Sequence, residues 1–217
     1  MPRRPAQLRL DSAPIPLHPT LSSAREAAKD CRACDLWKRG TQTVFGEGSP
    51  HARIMLVGEQ PGDKEDLEGR PFVGPAGALL DKALAEAGID RGDTYVTNAV
   101  KHFKWEPRGK RRIHQKPNSM QLAACRPWLD VEIELVKPDV IVCLGATAAQ
   151  ALLGRGFRVT KQRGQFLPFA HEIQALATVH PSAILRAPDD VSRHREFNQL
   201  VKDLRVVSRS LSRRRAA

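Results

Sequence analysis

Short apolar runs alternate along this chain with longer stretches in which apolar residues recur every three or four positions. Arg53–Gly58 (RIMLVG), Asp139–Leu144 (DVIVCL) and Ile173–Val179 are runs of the first kind, the pattern of parallel strands buried on both faces, and Thr94–Val100 reads as the second strand in chain order. The helical spacing predicts helices over Ser22–Asp30, Ala76–Ala87, Met120–Val136, Ala146–Leu153 and Val191–Val207. Gly88 and Gly154 stop two of them, and Pro127 is expected to break or kink the third. This alternation predicts an α/β fold: one domain with a central four-stranded parallel sheet flanked by helices and joined by right-handed crossovers. Residues 1–20, proline-rich and without periodicity, read as an extended N-terminal arm. Residues 21–208 read as the folded domain, and 209–217 as a basic, solvated C-terminal tail.

The polar motifs share a placement. Gly58–Gly62 (GEQPG) follows the first strand, Asn98 closes the second, Gly145 follows the third, and His180-Pro181-Ser182 follows the fourth. Open α/β sheets bind ligands beyond the carboxyl ends of their strands, so the four loops are expected to converge on one crevice.

Composition narrows the partner. Hydrophobic residues make up 41% of the 217, which argues for a folded chain. No apolar run approaches the roughly 20 residues of a membrane helix, and Met1–Leu17 lacks the apolar segment of a signal peptide. No membrane partner is expected, and the location read from this is the cytoplasm, at the nucleoid. The net charge is +11, which favours a polyanion. Seven basic residues against one acid, Glu106, lie between Lys101 and Lys116, and six against Asp203 lie in the C-terminal stretch from Val201. The four cysteines are Cys31, Cys34, Cys125 and Cys143. In a cytosolic chain a C-x2-C pair points to a metal or redox site rather than a disulfide. Four thiolates can bind zinc or a [4Fe–4S] cluster, and spacing does not separate the two.

Taken together, GEQPG (58–62), GRPFVG (69–74), TNAVK (97–101), HPS (180–182) and the cysteines resemble the iron–sulfur-containing family 4 branch of the uracil-DNA glycosylase superfamily. The resemblance spans about Cys31 to Phe197. Gln60 stands where family 4 usually has alanine, and a basic loop, Lys110 to Pro117 (KRRIHQKP), follows the second strand. Both features resemble the branch called UdgX, whose members excise uracil and stay covalently joined to the abasic DNA through the histidine of this loop.

The resemblance implies a three-layer α/β/α fold, a [4Fe–4S] cluster on Cys31, Cys34, Cys125 and Cys143, and uracil-containing DNA, single strands included, as partner of a monomer. A flipped uracil would stack on Phe72. The Asn98 amide has a donor and an acceptor for uracil N3–H and O4, a pattern cytosine reverses. His180 is placed to donate to O2, where negative charge develops, and backbone N–H groups around Gln60 and Gly62 would hold the base or a phosphate. His114 is the expected nucleophile toward C1′, with Glu59 orienting it and accepting its proton. Lys110, Arg111, Arg112, Lys116 and Ser182 are expected to meet DNA phosphates, as are Lys29, Arg32 and Lys38 near the cluster.

Blander readings stand beside these. Phe72 can be ordinary core, Asn98 a strand-end amide satisfying backbone, His180 structural, and KRRIHQK a solvated patch acting through charge. Capture through His114 is the leading expectation. An ordinary turnover glycosylase of the family 4 type is the alternative, and a nucleic-acid-binding module without chemistry is the third.

Overall fold

The computed structural model describes residues 13–170 and 172–216. Most of the expected N-terminal arm therefore lies outside the described residues, and residues 13–20 carry no helix or strand. Helix α1 (Leu21–Ala28) starts at Thr20, whose side chain forms a reciprocal capping box with Ser23, satisfying two otherwise orphaned N–H groups. In chain order there follow β1 (Glu47–Gly48), β2 (Ile54–Gly58), α2 (Asp63–Glu68), α3 (Pro75–Glu86), β3 (Thr94–Asn98), β4 (Trp105–Arg108), β5 (Arg111–His114) and α4 (Ser119–Val136). Then come β6 (Val140–Leu144), α5 (Ala146–Leu153), α6 (Val159–Gln162), β7 (Phe166–Ala170), β8 (Ile173–Thr178), α7 (Pro181–Leu185) and α8 (Asp190–Ala216).

The main sheet has the order β1-β3-β2-β6-β8-β7. Its four inner strands are parallel, and they are the four strands read from the sequence. Two antiparallel edge strands, β1 and β7, were not expected. β1 has only two residues, and β7 carries Pro168 next to a register irregularity. A proline that cannot donate to the ladder is tolerated at an edge; β1 is too short to give a pattern, and the apolar run of β7, FLPFA, is interrupted by that proline.

Alternate residues of the inner strands feed two cores. Ile54, Leu56, Val96, Val142 and Leu176 pack under α3, α7 and α8. Met55, Val57, Ile141, Ala175 and Ala177 pack under α4 and α5. Each fully buried aliphatic side chain here contributes roughly 1.5–3 kcal/mol. A third core, built on Trp128, Phe45, Ala24 and Ala28, joins α1 to α4.

Three local expectations need correction. The basic segment after the second strand is no loop: β4 and β5 form a two-stranded hairpin, with Trp105 opposite His114 and Arg108 opposite Arg111. Gly109 takes φ +59 at the first of two turn positions, where hairpin turns favour glycine. Pro127 does not interrupt α4, which is continuous from Ser119 to Val136. The last helix extends to Ala216 rather than Val207 because its buried stripe continues to Leu211. Among the described residues no helix is long and apolar enough to cross a membrane.

Candidate active site

The carboxyl ends of β2, β3, β6 and β8 open on a crevice of about 510 Å³. Its walls include the residues expected to read uracil (Gln60, Gly62, Phe72, Asn98 and His180) and the expected partners of the sugar, His114 and Glu59. Lys116 and Ser182 also line it.

The base-reading side is shaped by close approaches. Gly58 ends β2, and a Cβ there would lie 2.3 Å from Asn98 Oδ1 and 2.8 Å from Phe72 Cζ. Only the missing side chain lets both walls come so near. Asn98 is 2% exposed, and its side-chain amide bonds no other described residue, which leaves its donor and acceptor for a ligand. Phe72 adopts φ +57, an outlier for a bulky residue. The turn is held by Gly77, where a Cβ would lie 1.7 Å from the Phe72 carbonyl oxygen. The Phe72 ring stacks toward His180, with centroids 6.0 Å apart and planes at 26°.

His180 caps α7. Its Nδ1 accepts the Ser182 backbone N–H at 3.1 Å and lies 2.8 Å from the Ser182 hydroxyl. Nδ1 must therefore be unprotonated, which leaves the proton on Nε2 as the donor. Burial lowers the His180 pKa to about 4, so the neutral donor form persists at physiological pH. Gly145, at φ +90, clears the backbone beside it.

On the opposite wall, His114 Nε2 is 3.3 Å from Glu59 Oε1. The other Glu59 oxygen accepts a hydrogen bond from the Thr147 hydroxyl. Burial works to raise the Glu59 pKa, but hydrogen bonds from His114 and Thr147 outweigh it and hold the carboxyl below its ordinary range. His114 is half-exposed and sits on β5, and two clamps hold that hairpin. Gln60 Nε2 donates to the carbonyls of Lys104 and Gln115, both at 3.1 Å, and the Lys104 N–H donates back to Gln60 Oε1. Gln60 thus fixes the histidine-bearing hairpin through its side chain, in addition to lining the crevice. Arg112 donates to Asp63 and to Asp66, the latter at 2.6 Å, and lies over the Phe103 and Trp105 rings. Its expected phosphate contact is corrected accordingly: two carboxylates, one fully buried, already hold this guanidinium. Lys110, Arg111 and Lys116 remain exposed.

Three of the four cysteines come together. Cys31 and Cys125 share the third core with Cys34 packed against it. Trp128 Nε1 donates to Cys31 Sγ and the Lys101 N–H to Cys125 Sγ, each at 3.2 Å. Cys143 is not part of this group. Strand alternation turns it into the core with Met55, Leu129 and Ala148, and burial alone pushes its thiol up to about 12. A residue the sequence reading missed follows Lys101, whose N–H meets Cys125 Sγ: His102, 6% exposed, packs on Gly40 just past the loop of Cys31 and Cys34. Burial lowers its pKa to about 4, leaving a neutral imidazole. Three thiolates and one imidazole are donors that zinc or an iron–sulfur cluster accepts in kind, although among the described residues no group of three or more such side chains is arranged to hold a metal ion. His102 was legible only as the residue after TNAVK. Thr147, Glu65 and Arg186 of the crevice also escaped notice, since each stands outside the recognised motifs.

Comparison with known proteins agrees with this geometry. The model of the Uracil DNA glycosylase superfamily matches residues 45–205. A type-4 uracil-DNA glycosylase of Thermotoga maritima is 41% identical over 177 residues, covering 81% of this chain and 86% of the relative. The type-4 enzyme of Sulfurisphaera tokodaii is 38% identical, covering 78% of each chain. A type-5 uracil-DNA glycosylase of Thermus thermophilus is 37% identical over 143 residues, covering 59% of this chain and 61% of the relative.

Proposed function

This chain belongs to the Uracil DNA glycosylase superfamily, and from that premise we propose that it flips uracil out of DNA and cleaves its N-glycosidic bond. The observation that carries the reading is the crevice itself, where a free Asn98 amide, a neutral His180 donor and the Phe72 ring face one space. Asn98 pairs with N3–H and O4 of the flipped base, and Phe72 stacks on it. As the bond from C1′ to the base breaks, His180 Nε2–H donates to O2, where electron density collects. Glu59, kept ionised, faces the positive charge left on the sugar. Water then attacks C1′ and passes its proton to Glu59, giving free abasic DNA.

Turnover is the reading the relatives' names favour, over the capture expected from sequence. A second reading rests on one observation, the 3.3 Å approach of His114 Nε2 to Glu59 Oε1. In it one imidazole nitrogen bonds C1′ while a proton passes to Glu59, and the neutral N-glycoside formed is a poor leaving group. Denaturing electrophoresis after mixing with a uracil-containing oligonucleotide separates the two. Turnover leaves the protein band unshifted. Capture gives a slower band that His114→Ala abolishes, and its persistence in that variant would refute His114 as the nucleophile.

In this proposal the protein acts as a monomer in the cytoplasm, on DNA that includes single strands. The glycosylase unit runs from residue 21 past the expected boundary at 208 to Leu211, which the core holds. Lys110, Arg111, Lys116 and Ser182 meet phosphates. Cys31, Cys34 and Cys125, with His102, hold a [4Fe–4S] cluster whose part is structural, tying the segment after α1 to α4 and the end of β3.

A further inference from the structure

Next to Asn98 lies an ion pair that the chemistry above does not use. Lys101 and Glu132 are 1% and 0% exposed. All three Nζ hydrogens have acceptors: Glu132 Oε2 at 2.5 Å, Thr97 Oγ1 at 2.6 Å and the Asn98 carbonyl at 2.9 Å. Glu132 Oε2 also accepts the Thr97 hydroxyl, and Oε1 accepts the Gly46 N–H at 2.8 Å and the Tyr95 hydroxyl at 3.2 Å. A Cβ at Gly46 would lie 2.5 Å from Glu132 Oε1, so glycine is what admits the carboxylate.

A buried ion pair is a poor device for stability alone, because desolvation offsets much of its attraction and an apolar pair often holds a fold as well. What this pair does that an apolar one cannot is fix directions. Lys101 folds back on its own chain to hold the carbonyl of Asn98, the residue that reads the base. Its backbone N–H holds Cys125 on α4, and its carbonyl accepts the Val44 N–H at 2.7 Å. Glu132 lies two turns along α4 from Cys125. One residue thus links the base-reading amide to the helix that carries a cysteine of the cluster site.

We infer that Lys101, together with Glu132, is a positioning residue for uracil recognition, locking the backbone of Asn98 to α4 so that its amide meets the base at one fixed place. The inference rests on the glycosylase reading. Its test is a double-mutant cycle. Lys101→Met with Glu132→Gln removes both charges while keeping an acceptor for Gly46. With folding checked by melting, single-turnover uracil excision should fall about 10- to 100-fold with Asn98 present, and less than threefold in an Asn98→Ala background. Binding to an oligonucleotide carrying a tetrahydrofuran abasic analogue, which has no base to read, should be unchanged. If that variant does not fold, Thr97→Val, which removes one Nζ acceptor and keeps the ion pair, runs through the same cycle and should lose activity only with Asn98 present. Equal losses in both backgrounds overturn the inference alone. No uracil release by the parent protein overturns the glycosylase reading and the inference with it.

Discussion

Gly58→Ala is a one-methyl perturbation aimed at the base slot. Gly58 does not take a left-handed φ, so the backbone accepts alanine. The strand cannot move aside, because β2 is paired with β3 and β6 and all five of its residues are buried. The new methyl would start 2.3 Å from Asn98 Oδ1 and 2.8 Å from Phe72 Cζ. Reaching ordinary contact near 3.4 Å requires the Asn98 amide to retreat by about 1 Å and the ring by roughly half that. Overpacking of this kind costs about 1–3 kcal/mol, or about 2–4 °C of melting temperature per kcal/mol at this size. Displacing a recognition group by about 1 Å costs on the order of 100-fold in rate. The variant should therefore fold and bind DNA, yet excise uracil about 100-fold more slowly in a quenched single-turnover assay below its melting transition. A folded variant within about threefold of the parent rate would refute the claim that Asn98 and Phe72 define the slot.

Gln60→Ala should leave the Gln115 carbonyl without its donor and the Lys104 N–H without its acceptor, at about 1–3 kcal/mol for each group left unsatisfied, while the Lys104 carbonyl keeps the Gln115 N–H. Hydrogen exchange should then speed up in Trp105–His114 and little elsewhere; unchanged protection there would contradict the clamp. For His180, the folded pKa of about 4 lies below the ordinary 6.5, so the unfolded state binds more protons between those values. The stability from keeping it neutral is present above about pH 7 and is lost as pH falls toward 4, amounting to about 3 kcal/mol. His180→Asn should flatten the melting-temperature profile over that window, and an unchanged slope would count against the burial argument. Cys125→Ala should lose iron on purification, whereas Cys143→Ala should keep it with the parent's visible absorption; iron loss in the latter would return Cys143 to the ligand set.

The inner sheet was legible because strands buried on both faces need continuous apolar runs, and three such runs were present and bounded. The crevice was legible for the same reason, since polar motifs at strand ends share one side of the sheet. The hairpin was not, because Glu106, Pro107, Arg108, Arg111 and Arg112 give no apolar alternation. Its stability comes from contacts distant in sequence, Gln60 and the Asp63–Asp66 pair, that patterning cannot reveal. Cys143 misled for a related reason: a cysteine within VIVCL reads equally as ligand or as small core residue, and only its face on β6 decides. His102 was missed because it stands outside every recognised motif, directly after the Lys101 whose N–H meets Cys125 Sγ.

The central claim, that this crevice excises uracil, is tested most directly by counting free uracil released per protein molecule from a uracil-containing oligonucleotide, beside a matched thymine strand. The account predicts release from the uracil strand alone, continuing past one uracil per protein. Release that stops at one equivalent would move the assignment from turnover to capture by His114. No release from the uracil strand, with the protein folded and bound to DNA, would contradict the account.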